Sequence, residues 1–344
     1  MANGPKKPTK PPIKPRVTPG ERPRLKDIAY MTGLGVTTVS RALNDAPDIG
    51  QGTKERVRLV ANQIGYRPNR AGVRLRTGKT NVICLILNAG DEGMGLMAPL
   101  ISGISQFVGD THYHLVVNPY GLDQDPLESV KYVVETGAAD GVILSRTEPN
   151  DPRVRYLLEH RVPFATHGRT DMNLEHAYYD FDNERYTRMA VGLLQDRGRA
   201  RISLIAPPAT LTFSRHMVGG FRSEMKKNNL VDVDIENITT DSPYADIQTE
   251  IETLLATVNR PNGIICGSSD AAVATVAAIE KLGLKLGKDI DVVTKDSLGL
   301  LIKLCPNLIV IPENFRIAGK NLARSVIALI NGEKPQDHQI LYTP

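Results

Sequence analysis

Side chains able to read DNA bases follow one another over two turns of a predicted helix. Arg41 can donate two parallel hydrogen bonds to O6 and N7 of guanine, while Thr37 and Thr38 offer hydroxyl and methyl groups to bases or phosphates. Val39 and Leu43, which lie four residues apart, fall on the opposite, apolar face. Small and hydrogen-bonding side chains near the amino end are typical of a helix that enters the major groove. The residues predicted to contact DNA in this segment are Val36, Thr37, Thr38, Ser40, Arg41 and Asn44.

A second basic group follows, in which arginines surround one large apolar side chain. Leu75 lies between Arg74 and Arg76, and Arg70 precedes them by one helical turn. Apolar side chains inserted into the minor groove unstack a base step and kink DNA, while neighbouring arginines hold the phosphates. A core contact between Leu75 and the following domain is the open alternative. The residues predicted to contact DNA in this stretch are Tyr66, Asn69, Arg70, Arg74 and Leu75.

Three short helices are expected to position the first group. Apolar residues recur at spacings of three and four in three segments, which are separated by Thr32-Gly33 and by an Asp-, Pro- and Gly-rich loop at 44–52. Helices this short bury only a small core, which suits a head that DNA or a partner subunit stabilises further. The apolar positions are Leu25, Ile28, Ala29, Val36, Val39, Leu43, Val57, Val60, Ala61 and Ile64.

The charge of the chain is unevenly divided. Residues 1–79 hold 17 Lys and Arg against 5 Asp and Glu, whereas residues 80–344 hold 25 against 33. A basic head on an acidic body is expected where only one end of a chain meets a polyanion. Residues 1–22 contain six prolines and predict a disordered basic tail, which accounts for part of the positive charge. The rest lies in the helical segments and favours nucleic-acid binding.

After Thr80 the sequence alternates between apolar runs and helical segments. Such alternation predicts an α/β fold with parallel sheets flanked by helices on both faces, and the length fits two lobes. Ligands of such folds lie at the carboxyl ends of the strands or in the cleft between lobes. The predicted strands are residues 82–87, 114–117, 141–144, 163–166, 201–205, 263–266, 291–294 and 308–311, and the main predicted helices are 183–197, 216–229, 271–282 and 317–330.

Several classes of protein are disfavoured by the sequence. The three cysteines lie far apart and in no metal-ligand spacing, so we expect no disulfide, no metal and no cofactor. The N-terminus lacks the apolar core of a signal peptide, and no apolar run approaches the ~20 residues needed to span a bilayer. A cytoplasmic, nucleoid-associated protein without membrane contact is therefore expected. The absence of a dinucleotide fingerprint, a Walker sequence or a catalytic cluster argues against an enzyme.

Three motifs carry a resemblance to a known family. They are K-D-I-A at 26–29, T-T-V-S-R-A-L-N at 37–44 and G-Y-R-P-N at 65–69. Residues 24–79 resemble the DNA-binding headpiece of the lactose/galactose repressor (LacI/GalR) family of bacterial transcription regulators. The remainder resembles the two-lobed, periplasmic-binding-protein-like core of that family.

The resemblance implies a domain organisation and a mode of action. Val36, Thr37 and Arg41 would read bases, and Leu75 would wedge the central step of a palindromic operator. A homodimer follows, because paired heads read paired half-sites, whereas the pairing of dimers into tetramers stays open. The implied parts are a tail at 1–23, a helix-turn-helix domain at 24–67, a hinge helix at 68–79, and an effector-binding and dimerisation core at 80–344.

A small-molecule effector, most often a sugar, is implied between the lobes of the core. Arg169 is the best candidate for a fork that binds sugar hydroxyls. Asp296 stands where the family has an acidic ligand residue, and Glu313 stands where a glutamine is common. Each candidate could instead be a loop cap or a surface ion pair. The predicted effector-binding residues are Met97, Arg169, Arg215, Ser269, Asp270, Asp296 and Glu313.

The sequence departs from the family pattern at several positions. Gly35 replaces the usual Ser or Thr that caps the recognition helix, and Gly72 replaces an alanine of the hinge. Met217 stands at the usual place of an effector-binding arginine, which Arg215 would have to replace. Two alternatives therefore stay open beside a sugar-responsive repressor of carbohydrate uptake or catabolism genes. One is a regulator with a nucleobase or protein co-repressor, and the other, less favoured, is a non-regulatory sugar-binding protein.

Overall fold

The chain forms two units, Met1–Gly78 and Lys79–Pro344, in a computed structural model. The structure describes residues 22–67, 74, 78–88, 93–121, 123–297 and 299–344, with the side chains of 93–96 excepted. We call the described part of the first unit the head and the second unit the core.

Three short helices form the head, as the apolar spacing predicts. They are α1 (Leu25–Thr32), α2 (Val36–Leu43) and α3 (Gln51–Gln63). Helix α1 begins where the Asp27 carboxylate accepts a hydrogen bond from the backbone N–H of Arg24 at 2.7 Å, and it ends at Gly33, whose φ of 69° suits glycine. The helices enclose one small cluster of buried side chains: Ile28, Ala29, Val39, Ala42, Val57 and Ala61.

Lobe 1 of the core is built on a six-stranded parallel sheet in the order β11-β5-β4-β3-β1-β2. Alternate residues of its strands face two separate apolar clusters, one on each side of the sheet. The strands are β1 (Val82–Asn88), β2 (His114–Tyr120), β3 (Gly141–Ser145), β4 (Phe164–His167), β5 (Ala177–Phe181) and β11 (Gln339–Tyr342). The helices that cover it are α4 (Gly93–Gly109) and α12 (Phe315–Ile330) on one face and α5 (Pro126–Glu135) and α6 (Pro152–Glu159) on the other.

Lobe 2 of the core repeats this plan on a five-stranded parallel sheet in the order β10-β9-β8-β6-β7. Its strands are β6 (Arg201–Ile205), β7 (Val231–Asp232), β8 (Gly263–Cys266), β9 (Asp291–Asp296) and β10 (Ile309–Pro312). Helices α7 (Asn183–Asp196) and α8 (Thr212–Lys227) cover one face, and α9 (Tyr244–Leu255) and α10 (Ser269–Lys281) cover the other. A one-turn helix, α11 (Leu301–Leu304), precedes β10, and a 3₁₀ turn (Pro335–His338) precedes β11.

The chain passes from lobe 1 to lobe 2 after β5 and returns to lobe 1 after β10. Strand β11 then pairs with β5, so the last described strand completes the first sheet. The eight strands predicted from apolar runs are confirmed within a few residues, but β5, β7 and β11 were not predicted. These three are short or rich in polar and aromatic residues, and β11 pairs with a strand about 160 residues away in sequence. Helix α8 also begins at Thr212, four residues before its predicted start.

Candidate functional site

Helix α2 presents a polar face outward and packs its apolar face into the head. Val39 and Ala42 are fully buried, and Leu43 packs against the same cluster. The predicted base-reading residues lie on the remaining surface of the helix. Val36, Thr37, Arg41 and Asn44 are exposed, while Thr38 and Ser40 are half-buried.

The Arg41 guanidinium lies 2.6 Å from the carboxylate of Asp48, in the loop that follows α2. Both side chains are about half exposed, with 54% and 48% of their surface in solvent. Ion pairs this exposed contribute at most about 1 kcal/mol, so a guanine or a phosphate can take the place of Asp48. The loop itself is fixed by Lys54 of α3, whose ammonium reaches the Asp45 carboxylate at 3.1 Å. This ion pair lowers the pKa of Asp45.

The start of α2 lacks a side-chain cap. Gly35 occupies the N-cap in an extended conformation, and no side chain accepts a hydrogen bond from the first turn. Tyr66 is partly buried against the head cluster, and Arg74 is exposed in helical conformation. The predicted DNA contacts Asn69, Arg70 and Leu75 lie outside the described residues.

A cavity of about 430 Å³ lies between the two lobes of the core. It opens at the carboxyl ends of the strands of both sheets, where parallel α/β folds place their ligands. Lobe 1 contributes the ends of β1, β3, β4 and β5 and the start of α12. Lobe 2 contributes the ends of β9 and β10, the loop before α9 and the first turn of α10.

The apolar part of the cavity wall consists of aromatic and aliphatic side chains. Phe181, Phe213 and Phe315 line it together with Leu87 and Met97. Flat apolar surfaces of this kind pack against the C–H faces of sugar rings. This chain has no tryptophan, so these phenylalanines supply the large aromatic surfaces of the described wall.

Lys295 is the buried cation of the cavity wall. Its ammonium lies 2.9 Å from the Glu313 carboxylate and donates to the amide oxygen of Asn183 at 3.1 Å. The same ammonium stands 5.1 Å above the ring of Phe181. Lys295 belongs to β9, all of whose residues are buried, and Glu313 directly follows β10, which pairs with β9.

An ion pair and a pair of hydrogen bonds connect the lobes beside the cavity. The Arg146 guanidinium of lobe 1 forms a two-pronged ion pair with the Asp241 carboxylate of lobe 2. The neighbouring Thr147 carbonyl accepts hydrogen bonds from the backbone N–H and hydroxyl of Thr212, at 2.9 and 3.1 Å. The loop that contains Arg146 is held within lobe 1, because the buried Arg153 guanidinium donates a hydrogen bond to the Arg146 carbonyl at 2.8 Å.

Asp180 lies at the end of β5, nearly buried in the cavity wall. Burial raises the pKa of its carboxyl to about 6, even though the Arg169 guanidinium donates to it at 2.7 Å. The nearby Glu313 carboxylate raises this pKa further. Arg169, which does not line the cavity, therefore forms an ion pair with Asp180, which does.

The structure brings together four of the seven predicted effector-binding residues and places three elsewhere. Among the described residues, Met97, Ser269, Asp270 and Glu313 line the cavity. The other three, Arg169, Arg215 and Asp296, do not.

The three outlying candidates all have partners within the protein. The Arg169 guanidinium forms an ion pair with the Asp180 carboxylate. Arg215 is exposed, and its guanidinium lies 3.3 Å from the Asp171 carboxylate. Asp296 is buried, and its carboxylate accepts the backbone N–H of Leu301 at 3.1 Å. Gly168 has a φ of 107°, and an added Cβ there would lie 2.7 Å from the Thr147 hydroxyl, so any larger residue at this position would be strained.

Sequence reasoning did not single out the charged residues that dominate the wall. These are Arg146, Asp180, Asp241 and Lys295. Arg146 and Lys295 lie at the ends of predicted strands, and that position was the available signal. Asp180 belongs to a strand that was not predicted, and Asp241 lies in a loop whose neighbour across the cleft is 95 residues away.

Comparison with known proteins agrees with both units. The family model of bacterial regulatory proteins of the lacI family matches residues 24–69, and a periplasmic binding protein-like domain matches residues 191–344. The HTH-type transcriptional regulator AglR of Rhizobium meliloti (strain 1021) is 32% identical, over 91% of this chain and 90% of its own. The chain belongs to the LacI family. The HTH-type transcriptional regulator RafR of Escherichia coli is 29% identical, over 93% of this chain and 96% of its own.

Solved structures share the LacI-family fold. The lac repressor dimer bound to operator and the anti-inducer ONPF matches with a TM-score of 0.80 at 21% identity, over 94% of this chain and 97% of its own. A complex of the transcriptional regulator CelR with cellobiose matches with a TM-score of 0.67, also at 21% identity and with the same coverage.

This LacI-family chain is thus a transcriptional regulator with a helix-turn-helix head, and the enzyme alternative falls away because its relatives are transcriptional regulators. No helix among the described residues is long and apolar enough to cross a membrane.

Proposed function

We propose that this LacI-family regulator is a repressor whose affinity for a palindromic operator falls when a sugar occupies the cavity between the core lobes. Val36, Thr37 and Arg41 would contact bases in the major groove, and Leu75 would wedge the minor groove at the centre of a site bound by a homodimer. The genes it controls would serve carbohydrate uptake or catabolism.

The chemistry of the cavity carries this proposal. Three phenylalanine rings and several hydrogen-bonding side chains surround a volume of about 430 Å³, within the roughly 300–1,000 Å³ typical of small-molecule sites. A sugar needs both kinds of surface, since it has hydroxyls around its edge and C–H groups on its faces. The names of two similar proteins mention sugars, which supports a sugar effector. One is the CelR complex with cellobiose. The other is the ribose operon repressor of Escherichia coli (strain K12), which is 23% identical over 93% of this chain and 97% of its own.

The interactions across the cleft suggest how the sugar would act on DNA binding. Arg146 and Thr147 of lobe 1 hold Asp241 and Thr212 of lobe 2, so a ligand in the cavity that Arg146 and Asp241 line would alter how firmly the lobes close. A ligand that binds one arrangement of the lobes better shifts the population toward it. Operator affinity then changes by the coupling free energy, typically about 1–3 kcal/mol.

The test starts from the full chain and a randomised pool of duplex DNA. A duplex selected from that pool is titrated by fluorescence anisotropy, with and without neutral mono-, di- and trisaccharides. We expect a palindromic selected sequence and at least one sugar that weakens binding fivefold or more. Unchanged affinity with every sugar contradicts the proposal, and tighter binding with a sugar would show a co-repressor instead.

A matched pair of variants locates the effector. Phe213→Ala removes a ring from the cavity wall, and we expect the sugar response to need at least tenfold more sugar while DNA binding persists. Phe107→Ala makes the same change at a half-buried residue of α4 outside the described cavity wall, so the sugar response should be retained. Equal effects of the two variants would contradict the assignment of the cavity.

A further inference from the structure

Two basic side chains, Lys295 and Arg146, occur among the described residues that line the cavity. Each of them forms an ion pair with a carboxylate of the protein. Lys295 lies 2.9 Å from Glu313, with only 10% and 11% of the two side chains exposed. Arg146 is held by both carboxylate oxygens of Asp241 across the cleft. An anionic ligand would have to break one of these pairs to reach a cation.

Further acidic side chains line the cavity beside these two ion pairs. Asp180 and Asp270 also line the cavity, and the Arg169 guanidinium outside the wall lies 2.7 Å from the Asp180 carboxylate. In a partly buried site, like charges repel more strongly than in water because the local dielectric is lower. A phosphate or a carboxylate brought into this cavity would meet that repulsion, whereas an uncharged ligand would not.

Neutral groups of lobe 1 are available for hydrogen bonds to a ligand. The Ser145 hydroxyl lines the cavity at the end of β3, is buried, and has no hydrogen-bond partner among the described residues. A buried hydroxyl without a partner has lost its hydrogen bonds to water, and a ligand hydroxyl can restore them. His167 lies beside it at the end of β4, and burial lowers the pKa of its imidazole, so the ring is neutral at pH 7. A neutral imidazole offers one donor and one acceptor.

We infer that the cavity takes an uncharged polyhydroxylated molecule, a neutral sugar or sugar alcohol, and rejects its phosphorylated and carboxylated analogues. This inference rests on the proposed effector role and narrows its chemical class. Ser145 and His167 bind ligand hydroxyls, and Glu313 determines specificity by neutralising Lys295.

If Glu313 excludes anions by neutralising Lys295, its substitution should let the cavity bind an anionic ligand. Glu313→Gln keeps the size of the side chain and an oxygen that accepts a hydrogen bond from Lys295, but it removes one negative charge. Among the described residues, Lys295 then retains neutral hydrogen-bond partners, because Asn183 is uncharged. The variant cavity should therefore accept a phosphate or carboxylate that the original cavity excludes.

The experiment measures thermal unfolding and calorimetric binding of the full chain with matched sets of probes. Each set holds a neutral sugar, its uronic acid and its phosphate ester, for example glucose, glucuronate and glucose 6-phosphate, and the neutral panel extends to trisaccharides. We expect only neutral members to raise the melting temperature of the original protein. In Glu313→Gln the ratio of the dissociation constant of the anionic member to that of its neutral counterpart should fall at least tenfold, compared with the original protein. Glu333→Gln, which removes an exposed carboxylate paired with His338 outside the described cavity wall, is the control and should leave the preference unchanged.

The outcomes separate the two proposals. An anionic member that stabilises the original protein as well as its neutral counterpart overturns the charge inference but leaves a sugar effector in place. A melting temperature unmoved by every probe contradicts the effector proposal and this inference with it. If Glu313→Gln fails to fold, as judged by circular dichroism, Asp241→Asn makes the same test at the partly exposed Arg146 pair. An unchanged anion affinity in a folded variant that frees a cation also overturns the inference.

Discussion

At the scale of single residues, Arg41, which we propose contacts DNA, pairs with a carboxylate of its own domain. Its pairing with Asp48 holds the guanidinium near the outer face of α2, but the pair is too exposed to compete strongly with a base. Arg41→Ala should lower affinity for the selected duplex and lose about 1–3 kcal/mol of discrimination at one base pair. Anisotropy titrations against duplexes substituted at each position measure this.

The control at this site is Asp48→Asn, which removes the partner and leaves Arg41 intact. Affinity should stay equal or rise, because the variant removes a negative charge beside the DNA-reading face. Uniform weakening of all duplexes by Arg41→Ala would identify Arg41 as a phosphate contact instead of a base contact.

Asp180 makes a second prediction at this scale, because burial raises the pKa of its carboxyl to about 6. The folded state then binds a proton more tightly than the unfolded state, in which the carboxyl has the ordinary pKa of 3.8. The stabilisation due to this proton is full below about pH 4 and is lost as the pH rises through 6. The free energy of unfolding should therefore lose a contribution on the order of 2 kcal/mol over this interval.

Urea unfolding of the original protein and of Asp180→Asn at several pH values tests this linkage. The difference in unfolding free energy between the two proteins should shift between pH 4 and 6 in favour of the variant, which cannot ionise at this position. A difference that is constant over this interval would mean that Asp180 keeps an ordinary pKa in the folded protein.

At the scale of elements, the packing of α7 against α8 depends on the absence of one side chain. Gly220 is buried where the helices approach, and a Cβ there would lie 2.3 Å from the Glu184 carbonyl oxygen of α7 and 2.5 Å from the Thr187 hydroxyl. Its neighbour Gly219 is exposed in the same helix, with open space around its position. A side chain would therefore clash with α7 at Gly220 but would meet no neighbouring atom at the adjacent Gly219.

Alanine substitutions at the two positions should change stability in opposite directions. Gly220→Ala should cost about 1–3 kcal/mol, because the helices must separate or strain to admit the methyl group. Gly219→Ala should stabilise by up to about 1 kcal/mol, since alanine favours the helix and meets no neighbour. Urea midpoints of the two variants measure both effects, and a shared sign would contradict the helix packing described here.

At the scale of the whole molecule, the division of charge predicts how DNA binding responds to salt. The first 79 residues are strongly basic and the remainder is acidic, so counterion release should come from the head and its neighbouring segments alone. A logarithmic plot of operator affinity against salt concentration should be linear, with a slope of about −0.9 for each phosphate that the protein neutralises.

Deletion of residues 2–21 removes five Lys and Arg without touching the helices. The salt slope should become shallower by about 0.9 for each phosphate that the tail neutralises in the full chain, while the base preference of the selected duplex stays the same. Anisotropy at several salt concentrations gives both quantities. An unchanged slope would show that the tail binds no phosphate, and an altered base preference would show that it reads sequence.

Local patterns in the sequence determined the class of the protein and most of its elements. The spacing of Ile28, Val39 and Val57 fixed the three helices of the head, because a helix repeats every 3.6 residues and only one face can be buried. Apolar runs such as the one at residues 82–87 indicated the buried strands, since a strand covered on both faces needs apolar residues throughout. The three motifs at 26–29, 37–44 and 65–69 then indicated the family.

Only the tertiary structure decided which side chains form the cavity. Arg169 and Asp296 follow strands and satisfy every local criterion for ligand binding, yet each is engaged by a nearby group of the protein. Lys295 and Asn183 are 112 residues apart, and Arg146 and Asp241 are 95 residues apart. Such pairs arise from the packing of two sheets and not from any local spacing, so the charge balance that selects the ligand could be read only from the folded chain.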